Sequence, residues 1–591
     1  MRGLAWRCGL ASLVSEAMTR RALFAKLYAA MSPSRRRQLI ALLVATMMCA
    51  AAEAFAIGAA LPFLALIADP SGAALPEEVR GLLASFGSPV ASAAVLLAGA
   101  ALVLAVLRLT LLWRQQKFTM GYGRELAGLV FGRMLRQPYL AYLNRNSSEM
   151  LAGMEKVERL VGTLLQPAIQ GFVAAVLAAF VMSALLLVDA IAASIAAIAT
   201  ASAYAGVSLL GRRRLEANSR IVAASITARA RTLREAKGGI RDIQLDVSQE
   251  LHQAKYDAFE VRNRRAQAEN VFLAQAPRYA VEAVGVIVMA GVALLVSRGA
   301  GGIAAAIPVL GALALGAQRL LPLLQQVWAG YSQISAHHQS LHDIATLMEL
   351  PIDEEEEGPR PAPLPLREEI RFEALSFGYR PDRPVFDGLD CTIDAGEWVG
   401  LAGPTGSGKS TLADLLMGLI APDGGRILID GRPLTRDVRR AWQANIAHVP
   451  QFIYLADDSI AANITLGQEA DSVDRTRLDQ AVRAAQLDSF VATLADGLDS
   501  RVGERGVQLS GGQRQRIGLA RALYKQAGVL VLDEATNALD EATEAAVLAA
   551  IRRLYSDVTM VMVAHRPSVL ALCDRVISLT PVQEPAAALR A

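Results

Sequence analysis

Six long apolar runs fill the first half of this 591-residue chain and limit its fold more than any other feature. They lie at about residues 39–68, 91–113, 167–188, 190–211, 271–296 and 303–328. A helix of about 20 residues crosses the roughly 30 Å hydrocarbon core of a bilayer. Each run reaches that length, so the first half is predicted to be an all-α domain of six membrane-spanning helices.

The composition agrees with a chain that lies partly in lipid. Hydrophobic residues make up 53% of the sequence and charged residues 19%, a balance typical of membrane proteins. The net charge is only +3 and basic residues are interleaved with acidic ones, so nucleic acid is not expected as a partner. The four cysteines, Cys8, Cys49, Cys391 and Cys573, share no short spacing, and neither a zinc site nor a disulfide framework is predicted.

Basic residues between the runs predict how the helices are oriented. The connections on one side carry only Arg80 and Arg298, whereas the N-terminus and the segments 114–166 and 212–270 are rich in Lys and Arg. By the positive-inside rule, both termini face the cytoplasm. The apolar run from Gly9 to Val14 is too short for a cleaved secretory signal.

Three segments next to the spans are predicted to form short helices. Apolar residues recur at helical spacing from Leu23 to Met31 among basic residues, which favours a helix on the cytoplasmic membrane face, with an ordinary soluble helix as the alternative. In the long cytoplasmic segments, Pro138 to Asn146 and Gly238 to Gln244 are candidates for helices that touch a cytoplasmic partner. Plain helical hairpins without a coupling role are the alternative there.

The second half of the chain has the pattern of an α/β domain. After Met348 the sequence turns to acidic residues and prolines, which predicts a stiff, solvated linker. From Ile370 onward, short β-branched runs alternate with helical stretches, as in domains with a largely parallel sheet. We therefore expect a transmembrane domain with an N-terminal elbow helix at 1–350, a linker at 351–366 and an α/β domain at 367–591.

A phosphate-binding loop lies near the start of the α/β domain. The sequence GPTGSGKS follows the apolar strand Trp398 to Ala402 and opens a helix from Thr411 to Leu419, which is the context that such a loop requires. Lys409 would neutralise the β- and γ-phosphate oxygens of ATP, and Ser410 would bind Mg²⁺. Loop N–H groups and the helix N-terminus would hold the phosphates. The predicted nucleotide contacts here are Gly403, Pro404, Thr405, Gly406, Ser407, Gly408, Lys409, Ser410 and Thr411.

Two adjacent carboxylates end a later strand. The apolar run Val529 to Leu532 is followed by Asp533 and Glu534. Asp533 is predicted to bind the magnesium shell and Glu534 to polarise the attacking water. Capping of the following helix is the alternative role, and it is compatible with catalysis. The domain is therefore interpreted as a P-loop ATPase with ATP and Mg²⁺ as cofactors.

The sequence LSGGQ at 509–513 stands between this loop and the acidic strand end. It resembles the signature of ABC ATPases, and the resemblance to the ABC transporter superfamily covers essentially the whole chain. The resemblance implies that Ser510, Gly511, Gly512 and Gln513 close over an ATP molecule held by a second subunit. One chain alone would then not complete a site, and a dimer is expected.

Four further positions match motifs of that superfamily. Tyr379 is similar to the aromatic residue that stacks on adenine, although an aromatic residue in a strand is usually part of a core. Gln451 resembles the Q-loop glutamine that contacts Mg²⁺ and senses the membrane domain. Asp540 resembles the D-loop aspartate, and His565 resembles the switch histidine that holds the γ-phosphate. The resemblance thus implies catalytic roles for Glu534, His565 and Gln451.

The order of the domains resembles a type IV exporter half-transporter. Residues Val502 to Gly506 are similar to the X-loop of exporters, and the membrane domain precedes the ATPase on one chain. No motif is degraded, so a homodimer with two competent sites is the simplest expectation, with a heterodimer as the alternative. The expected location is the bacterial inner membrane, with the ATPase domain on the cytoplasmic side and membrane lipids around the spans.

Ionisable residues within the spans suggest a substrate cavity. An arginine near mid-bilayer costs about 2.5 to 3.5 kcal/mol, so several of them call for a reason. Helix counting places Arg108, Arg278 and Arg319 in the inner half of the membrane. Facing inward, they would form a cationic ring suited to phosphate or pyrophosphate. The alternative is that they extend to the inner interface and that Arg278 pairs with Glu282 one turn on.

The membrane half resembles bacterial lipid-linked oligosaccharide flippases of the PglK type. The resemblance rests on residues 52–57, 61–63, 144–149, 276–279 and 319–322, and the stretch Leu75 to Phe86 is similar to the external helix of that group. It implies ATP-driven outward movement of an amphipathic, lipid-linked substrate. Gln326 departs from the group, because an arginine is expected there. Export of a peptide or hydrophobic drug is the alternative, and an anchored ATPase that drives a regulatory partner is a minor one.

Overall fold

A computed structural model gives the fold of two compact units. It describes residues 20–68, 77–84, 88–143, 147–188, 190–297, 302–353, 358–380, 382–466, 468–503 and 506–581. The helical unit holds residues 13–137 and 145–351, and the α/β unit holds residues 138–144 and 352–591. The chain therefore passes from the helical to the α/β unit between Pro351 and Ile352, and one short internal segment belongs with the α/β unit.

Helices form all of the secondary structure described before residue 351. In chain order they are α1 (Arg20–Ala29), α2 (Pro33–Ala68), α3 (Glu77–Ala84), α4 (Pro89–Leu135), α5 (Tyr139–Leu143), α6 (Ser147–Leu160), α7 (Gln166–Val188), α8 (Ala190–Gly238), α9 (Ile240–Leu245), α10 (Gln249–Ser297), α11 (Gly302–Ala336) and α12 (His338–Leu347). The six apolar runs fall within α2, α4, α7, α8, α10 and α11. Short helices occur at both candidate cytoplasmic positions, α5 and α9, and α3 occupies the stretch similar to an external helix.

Three helical stretches of the described chain are long and apolar enough to cross a membrane. They are Pro33–Ile67 in α2, Pro89–Leu135 in α4, and Glu149–Leu187, in which the π-helical turn Val161–Leu165 joins α6 to α7. Large apolar side chains such as Leu102, Trp113 and Leu187 point outward from them. A water-soluble protein rarely exposes so much contiguous apolar surface, whereas lipid solvates it well. The other three predicted spans run through residues whose side chains lie partly outside the described set, so their crossing stays a prediction.

Close backbone packing fixes part of the helical unit. A Cβ atom on Gly330 would lie 2.7 Å from the Pro167 carbonyl oxygen, and one on Gly171 would lie 3.0 Å from the Gln326 carbonyl oxygen. Helices α7 and α11 therefore approach backbone to backbone, as small residues allow in membrane domains. Next to this contact, Ala174, Val181 and Leu323 are buried in the same apolar cluster.

The α/β unit is built on two sheets. Its strands are β1 (Glu369–Phe377), β2 (Phe386–Asp394), β3 (Trp398–Ala402), β4 (Gly424–Ile429), β5 (Arg432–Pro433), β6 (Ile446–Val449), β7 (Val529–Asp533), β8 (Thr559–Val563) and β9 (Arg575–Ser578). The antiparallel sheet has the order β2-β1-β4-β5, and the parallel sheet has the order β6-β7-β8-β3-β9. The inner strands of the parallel sheet are apolar on both faces, because each face is covered.

The helices of this unit connect the strands of the parallel sheet. After α5 they are α13 (Lys409–Leu416), α14 (Arg436–Ala444), α15 (Ile460–Ile464), α16 (Arg475–Ala484), α17 (Asp488–Val491), α18 (Gly511–Tyr524), α19 (Glu541–Leu554) and α20 (Pro567–Leu570). Trp442 of α14 is fully buried and its indole Nε1 donates to the Leu416 carbonyl at 2.7 Å. Tyr139 and Leu140 of α5 pack against the apolar cluster that contains Trp442, which explains why this segment groups with the α/β unit.

Candidate functional site

The GPTGSGKS loop connects β3 to α13 in a conformation that only glycine adopts readily. Gly403, Gly406 and Gly408 have φ values of 149°, 85° and 91°, a region that side chains disfavour. A Cβ atom on Gly403 would lie 2.4 Å from the Leu579 carbonyl oxygen. The loop is thus held close to its surroundings, with Pro404, Thr405 and Gly406 exposed at its tip.

Lys409 lies within the curve of this loop. Its side chain is buried, and Nζ donates to the carbonyl oxygens of Gly403 at 2.8 Å and Pro404 at 3.0 Å. The Ser407 hydroxyl is buried and forms no hydrogen bond with any described residue. A buried polar group usually has a partner, so the loop has the orphan donor that a phosphate oxygen would satisfy.

Ser410 and Asp533 bring two oxygen ligands together. The Ser410 hydroxyl donates to Asp533 Oδ1 at 3.5 Å. Burial raises the pKa of Asp533, and the hydrogen bond from Ser410 opposes that effect. Mg²⁺ in phosphate sites is held by one or two protein oxygens together with phosphates and water. The pair fits that ligand set, although within the described part of the chain no group of three acidic, His or Cys side chains forms a metal site by itself.

The Glu534 carboxylate is the point where several side chains meet. Oε2 accepts from Gln451 Nε2 at 2.6 Å and from Asn537 Nδ2 at 2.9 Å. Oε1 lies 3.2 Å from His565 Nε2. These residues follow β6, β7 and β8, whose carboxyl ends lie along one edge of the sheet, the usual ligand edge of such sheets. Glu534 also has a φ of 50°, a backbone strain that clusters at functional sites.

The LSGGQ segment begins helix α18 and closes on itself. Gln513 N donates to Ser510 Oγ at 3.2 Å, and Ser510 N donates to Gln513 Oε1 at 2.8 Å. This capping box leaves the N–H groups of Gly511 and Gly512 at the helix start. Within the described part of the chain, no residue of the segment 510–513 forms a hydrogen bond or ion pair with Lys409, Glu534 or His565.

The segment around Asp540 packs against this signature. Ala538 N donates to Gln515 Oε1 at 2.8 Å, and a Cβ atom on Gly512 would lie 3.1 Å from the Ala538 carbonyl oxygen. Asp540 caps α19 by accepting from Thr543 N at 2.9 Å and Thr543 Oγ1 at 2.7 Å, and these bonds lower its pKa. Asp540 therefore has a structural role in the single chain.

Tyr379 lies at the edge of the loop site. Its hydroxyl is 3.3 Å from Thr411 Oγ1, and its ring packs edge-on against Phe377 with 5.2 Å between centroids. Tyr379 is 48% exposed, so part of its side chain is available to a ligand. This arrangement suits a stacking residue more than a core residue.

The structure adds two residues that motif matching passed over. Asn537 holds Glu534, as described above. Arg566 Nη2 donates to the Asn537 carbonyl oxygen at 2.8 Å, and its Nη1 lies 3.3 Å from Oε2 of the buried Glu544. Arg566 therefore ties the segment after Glu534 to the strand end that carries His565. The only sequence signals were its place next to His565 and the place of Asn537 three residues after Glu534.

In the helical unit, Arg108 and Arg319 meet on one carboxylate. Arg108 donates to Glu53 through Nη2 at 2.6 Å and Nε at 3.1 Å, and Arg319 Nη1 lies 3.6 Å from Glu53 Oε1. Glu53 is only 1% exposed. Both arginines line a cavity of about 540 Å³ together with Gln115, Gln318 and Gln326.

Arg278 is separate from this cluster in the single chain, so the expected ring of three arginines stays a prediction. Its Nε donates to Glu282 at 2.7 Å, one helical turn on, and both side chains are exposed. Arg278 does not line the cavity of Arg108 and Arg319. Depth counted along a helix gives no information about the face on which a residue lies, and for Arg278 the alternative pairing with Glu282 is the one observed.

Known proteins resemble this chain in the sequence of its α/β domain and in its fold. Residues 386–537 match the ABC transporter family. The chain is also similar to a solved structure of a bacterial Atm1-family ABC exporter with ATP bound, with a TM-score of 0.73 and 24% identity over 92% of this chain and 93% of that one. The chain has the fold of an ABC exporter half-transporter. The predicted fold class, helical membrane domain followed by an α/β P-loop domain, is confirmed.

Curated relatives match this chain over a shorter stretch. An ATP-dependent lipid A-core flippase of Burkholderia orbicola (strain AU 1054) is 45% identical over 214 residues, 36% of each chain. A protein of the same description from Ralstonia nicotianae is 44% identical over 219 residues. An ATM1-type heavy metal exporter of Novosphingobium aromaticivorans is 40% identical over 219 residues. The chain thus aligns with only 36% of the length of these relatives.

Most predicted nucleotide-site residues of this chain lie around the β3, β6, β7 and β8 strand ends. Gln451, Asp533, Glu534 and His565 gather there, whereas Ser510 to Gln513 and Asp540 form a separate cluster at the start of α18. Two of the X-loop positions, Glu504 and Arg505, lie outside the described residues.

Proposed function

We propose that this half-transporter is an ATP-driven exporter or flippase that works as a homodimer in the bacterial inner membrane, with both termini and the α/β unit in the cytoplasm. The observation that carries the proposal is the position of Glu534. Its carboxylate accepts hydrogen bonds from Gln451 and Asn537 and lies beside His565, on the sheet edge where the phosphate-binding loop begins. That is the arrangement that hydrolysis of a loop-bound ATP needs.

Each residue of this cluster has a role in the proposal. Lys409 binds the β- and γ-phosphate oxygens and exchanges its loop carbonyl partners for them. Glu534 polarises the attacking water, and His565 holds the γ-phosphate. Ser410, Asp533 and Gln451 would hold Mg²⁺, which supplies positive charge to the transferred phosphoryl group. Tyr379 stacks on the adenine.

The second copy of the chain completes each site in this proposal. The signature from Ser510 to Gln513 makes no polar contact with the described loop site of its own chain, and its helix N-terminus is suited to an anion. Ser510, Gly511, Gly512 and Gln513 of one protomer therefore cover the ATP on the loop of its partner, close to the D-loop residue Asp540. Two such sites form in a homodimer.

Mixed dimers test this composite site. Lys409→Ala inactivates the loop, and Ser510→Arg inactivates the signature. A dimer of one Lys409→Ala chain and one Ser510→Arg chain contains one wild-type composite site, so the co-expressed pair should hydrolyse more ATP than the variants measured separately. If each site lay within a single chain, both sites of the mixed dimer would be defective. No recovery would therefore argue against the shared site.

For the transported molecule we propose an amphipathic, anionic lipid-linked substrate of the lipid-linked oligosaccharide type. Arg108 and Arg319 share one acidic partner, so their cluster with Glu53 has a net charge of +1. Three glutamines beside them offer neutral hydrogen bonds. A phosphate-bearing head group would find both charge and donors there. The relatives named above as a lipid A-core flippase support a lipidic substrate.

A second candidate substrate is a peptide or hydrophobic drug. A separate cavity of about 410 Å³ is lined by Tyr204, Trp328 and Tyr331 and by apolar residues. Aromatic walls of this kind suit an apolar ligand without charge.

Substrate stimulation of ATP hydrolysis distinguishes the two. The protein is reconstituted in nanodiscs and supplied with a polyprenyl-pyrophosphate glycan, a hydrophobic peptide or a neutral drug. Stimulation by the glycan alone supports the anionic lipid substrate. Stimulation by peptide or drug, without an effect of the glycan, would replace it with the second candidate.

A further inference from the structure

The α/β unit contains a cavity whose lining is strongly basic. Its volume is about 1,050 Å³, at the upper end of the roughly 300–1,000 Å³ found for small-molecule sites. Five cationic side chains line it, and no acidic residue does; the cations are Arg360, Arg440, Arg477, Arg521 and Lys525. Apolar residues such as Met417, Leu419 and Leu466 form the rest of the wall.

Four of these cations have no acidic partner in the part of the chain that the structure describes; they are Arg360, Arg477, Arg521 and Lys525. Lys525 Nζ donates to the carbonyl oxygens of Gln443, at 2.9 Å, and Ile446. Arg477 lies over the Tyr524 ring, 5.1 Å from its centroid, and its Nε is buried without a hydrogen-bond partner. Arg360, on the linker side, contributes to a lowered pKa of Lys525.

The pKa of Lys525 reflects this crowding. Burial lowers it first, and the charge of Arg360 lowers it further, to about 8. Like charges that share a cavity repel each other, and each basic group is harder to protonate when its neighbours are charged. A bound anion would remove that penalty and satisfy the free Nε of Arg477.

This cavity is separate from the nucleotide site. The phosphate-binding loop leaves β3, whereas the cavity is lined by Ile446, Ala447 and His448 of β6. In the sheet order β6-β7-β8-β3, two strands lie between them. Neighbouring strands are about 4.8 Å apart, so β6 and β3 are separated by about 14 Å.

We propose that this basic cavity binds a small phosphate-bearing anion with at least two negative charges. Arginine and lysine donors in a partly apolar cavity recognise phosphate oxygens by charge-assisted hydrogen bonds. The cavity also contacts segments next to the nucleotide cluster and the signature. Arg521 donates to the Tyr454 carbonyl oxygen at 3.1 Å, three residues after Gln451, and it lies in α18, which begins at the signature. Occupancy of the cavity therefore touches both segments that surround ATP.

Binding of radiolabelled pyrophosphate tests the proposal. The full chain carries Lys409→Ala, so that the phosphate-binding loop does not contribute, and is held in nanodiscs of zwitterionic lipid. Saturable binding is expected. Replacing Arg360, Arg477 and Lys525 by Gln should weaken it by about 10³-fold, since each charge-assisted hydrogen bond contributes about tenfold.

A matched control removes the same charge elsewhere on the unit. Arg432, Arg436 and Arg553 are exposed and do not line the cavity, and their replacement by Gln should change the affinity by less than about threefold. Equal weakening by both triple variants, or no saturable binding in the Lys409→Ala chain, overturns the proposal. Arg360→Glu alone changes one exposed residue, so it should fold normally and weaken binding by about tenfold; unchanged affinity there also overturns it.

Nanodiscs that contain phosphatidylglycerol identify the source of the phosphate. If anionic lipid abolishes pyrophosphate binding that depends on Arg360, Arg477 and Lys525, the natural ligand is a lipid head group. If pyrophosphate binding persists, the ligand is a soluble anion. Both outcomes support a phosphate site in this cavity.

Discussion

Two glutamates, one in each unit of the chain, are held by several donors, and they differ in how their charge is balanced. Glu53 in the helical unit is buried and pairs with the cations Arg108 and Arg319. Glu534 in the α/β unit accepts from the neutral Gln451 and Asn537 and lies beside His565. A carboxylate with full cationic partners is a structural element. A carboxylate held by neutral donors has no permanent cation paired with it, which suits the proposed role of Glu534 in polarising water.

The largest effect is expected from Glu534. Glu534→Gln keeps the size and hydrogen bonds of the side chain and removes the basic oxygen. We expect ATP hydrolysis to fall by about 10²–10⁴-fold, the usual contribution of a general base. Phosphate release measures the rate, and nucleotide binding should be retained. Normal turnover in Glu534→Gln would assign the residue to helix capping instead.

Removing Glu53 should mainly affect stability. Glu53→Ala leaves two arginines without their buried partner, and loss of one member of a buried pair costs about 3–5 kcal/mol. Thermal unfolding in detergent measures this as a lower Tm. The matched control is Glu282→Ala, which breaks the exposed pair with Arg278 and should cost less than about 1 kcal/mol. Similar losses for both would contradict the structural role of Glu53.

The two arginines that line the cavity, Arg108 and Arg319, test whether the Glu53 cluster takes part in substrate recognition. Arg108→Gln with Arg319→Gln should abolish stimulation of ATP hydrolysis by a pyrophosphate-linked lipid and leave the unstimulated rate within about twofold, because the ATPase cluster does not include them. Arg278→Gln is the control, since Arg278 lies outside the cavity. Loss of stimulation in Arg278→Gln to the same extent would show that the cavity does not decide recognition.

The smallest effect concerns Asp414, next to the nucleotide cluster. Burial, and then the charge of Asp533, raises the pKa of Asp414 to about 6. A carboxyl with a raised pKa stabilises the fold while protonated, so its contribution is lost as pH rises through about 6. Asp414→Asn should therefore stabilise the chain above pH 6 by about 1 kcal/mol after allowance for solvent screening. The gain in stability should disappear below about pH 4. Thermal unfolding above pH 6 and below pH 4 measures the difference between Asp414→Asn and the wild type. A gain that is independent of pH would point to a cause other than this ionisation.

The fold could be predicted from the sequence because its signals are local. Apolar runs long enough for a bilayer and the spacing of the P-loop, signature and acidic strand end each lie within a short stretch. The partners of Glu53 and Glu534 could not be predicted in the same way. Glu53 and Arg319 are far apart in sequence, and helical depth does not reveal which face of a helix a residue occupies. Arg278 illustrates this, because its predicted depth suggested the cavity, whereas in the single chain it lies apart from Arg108 and Arg319.

The short helix Tyr139–Leu143 has a consequence for how this protein can be divided. It lies in the sequence of the membrane half, yet Tyr139 and Leu140 pack against the core of the α/β unit. A fragment cut at residue 352 would leave that apolar surface bare and prone to self-association. Exchange of α/β units between related chains would likewise have to preserve the contact between this helix and its receiving surface, so the junction between the modules has two places in the chain.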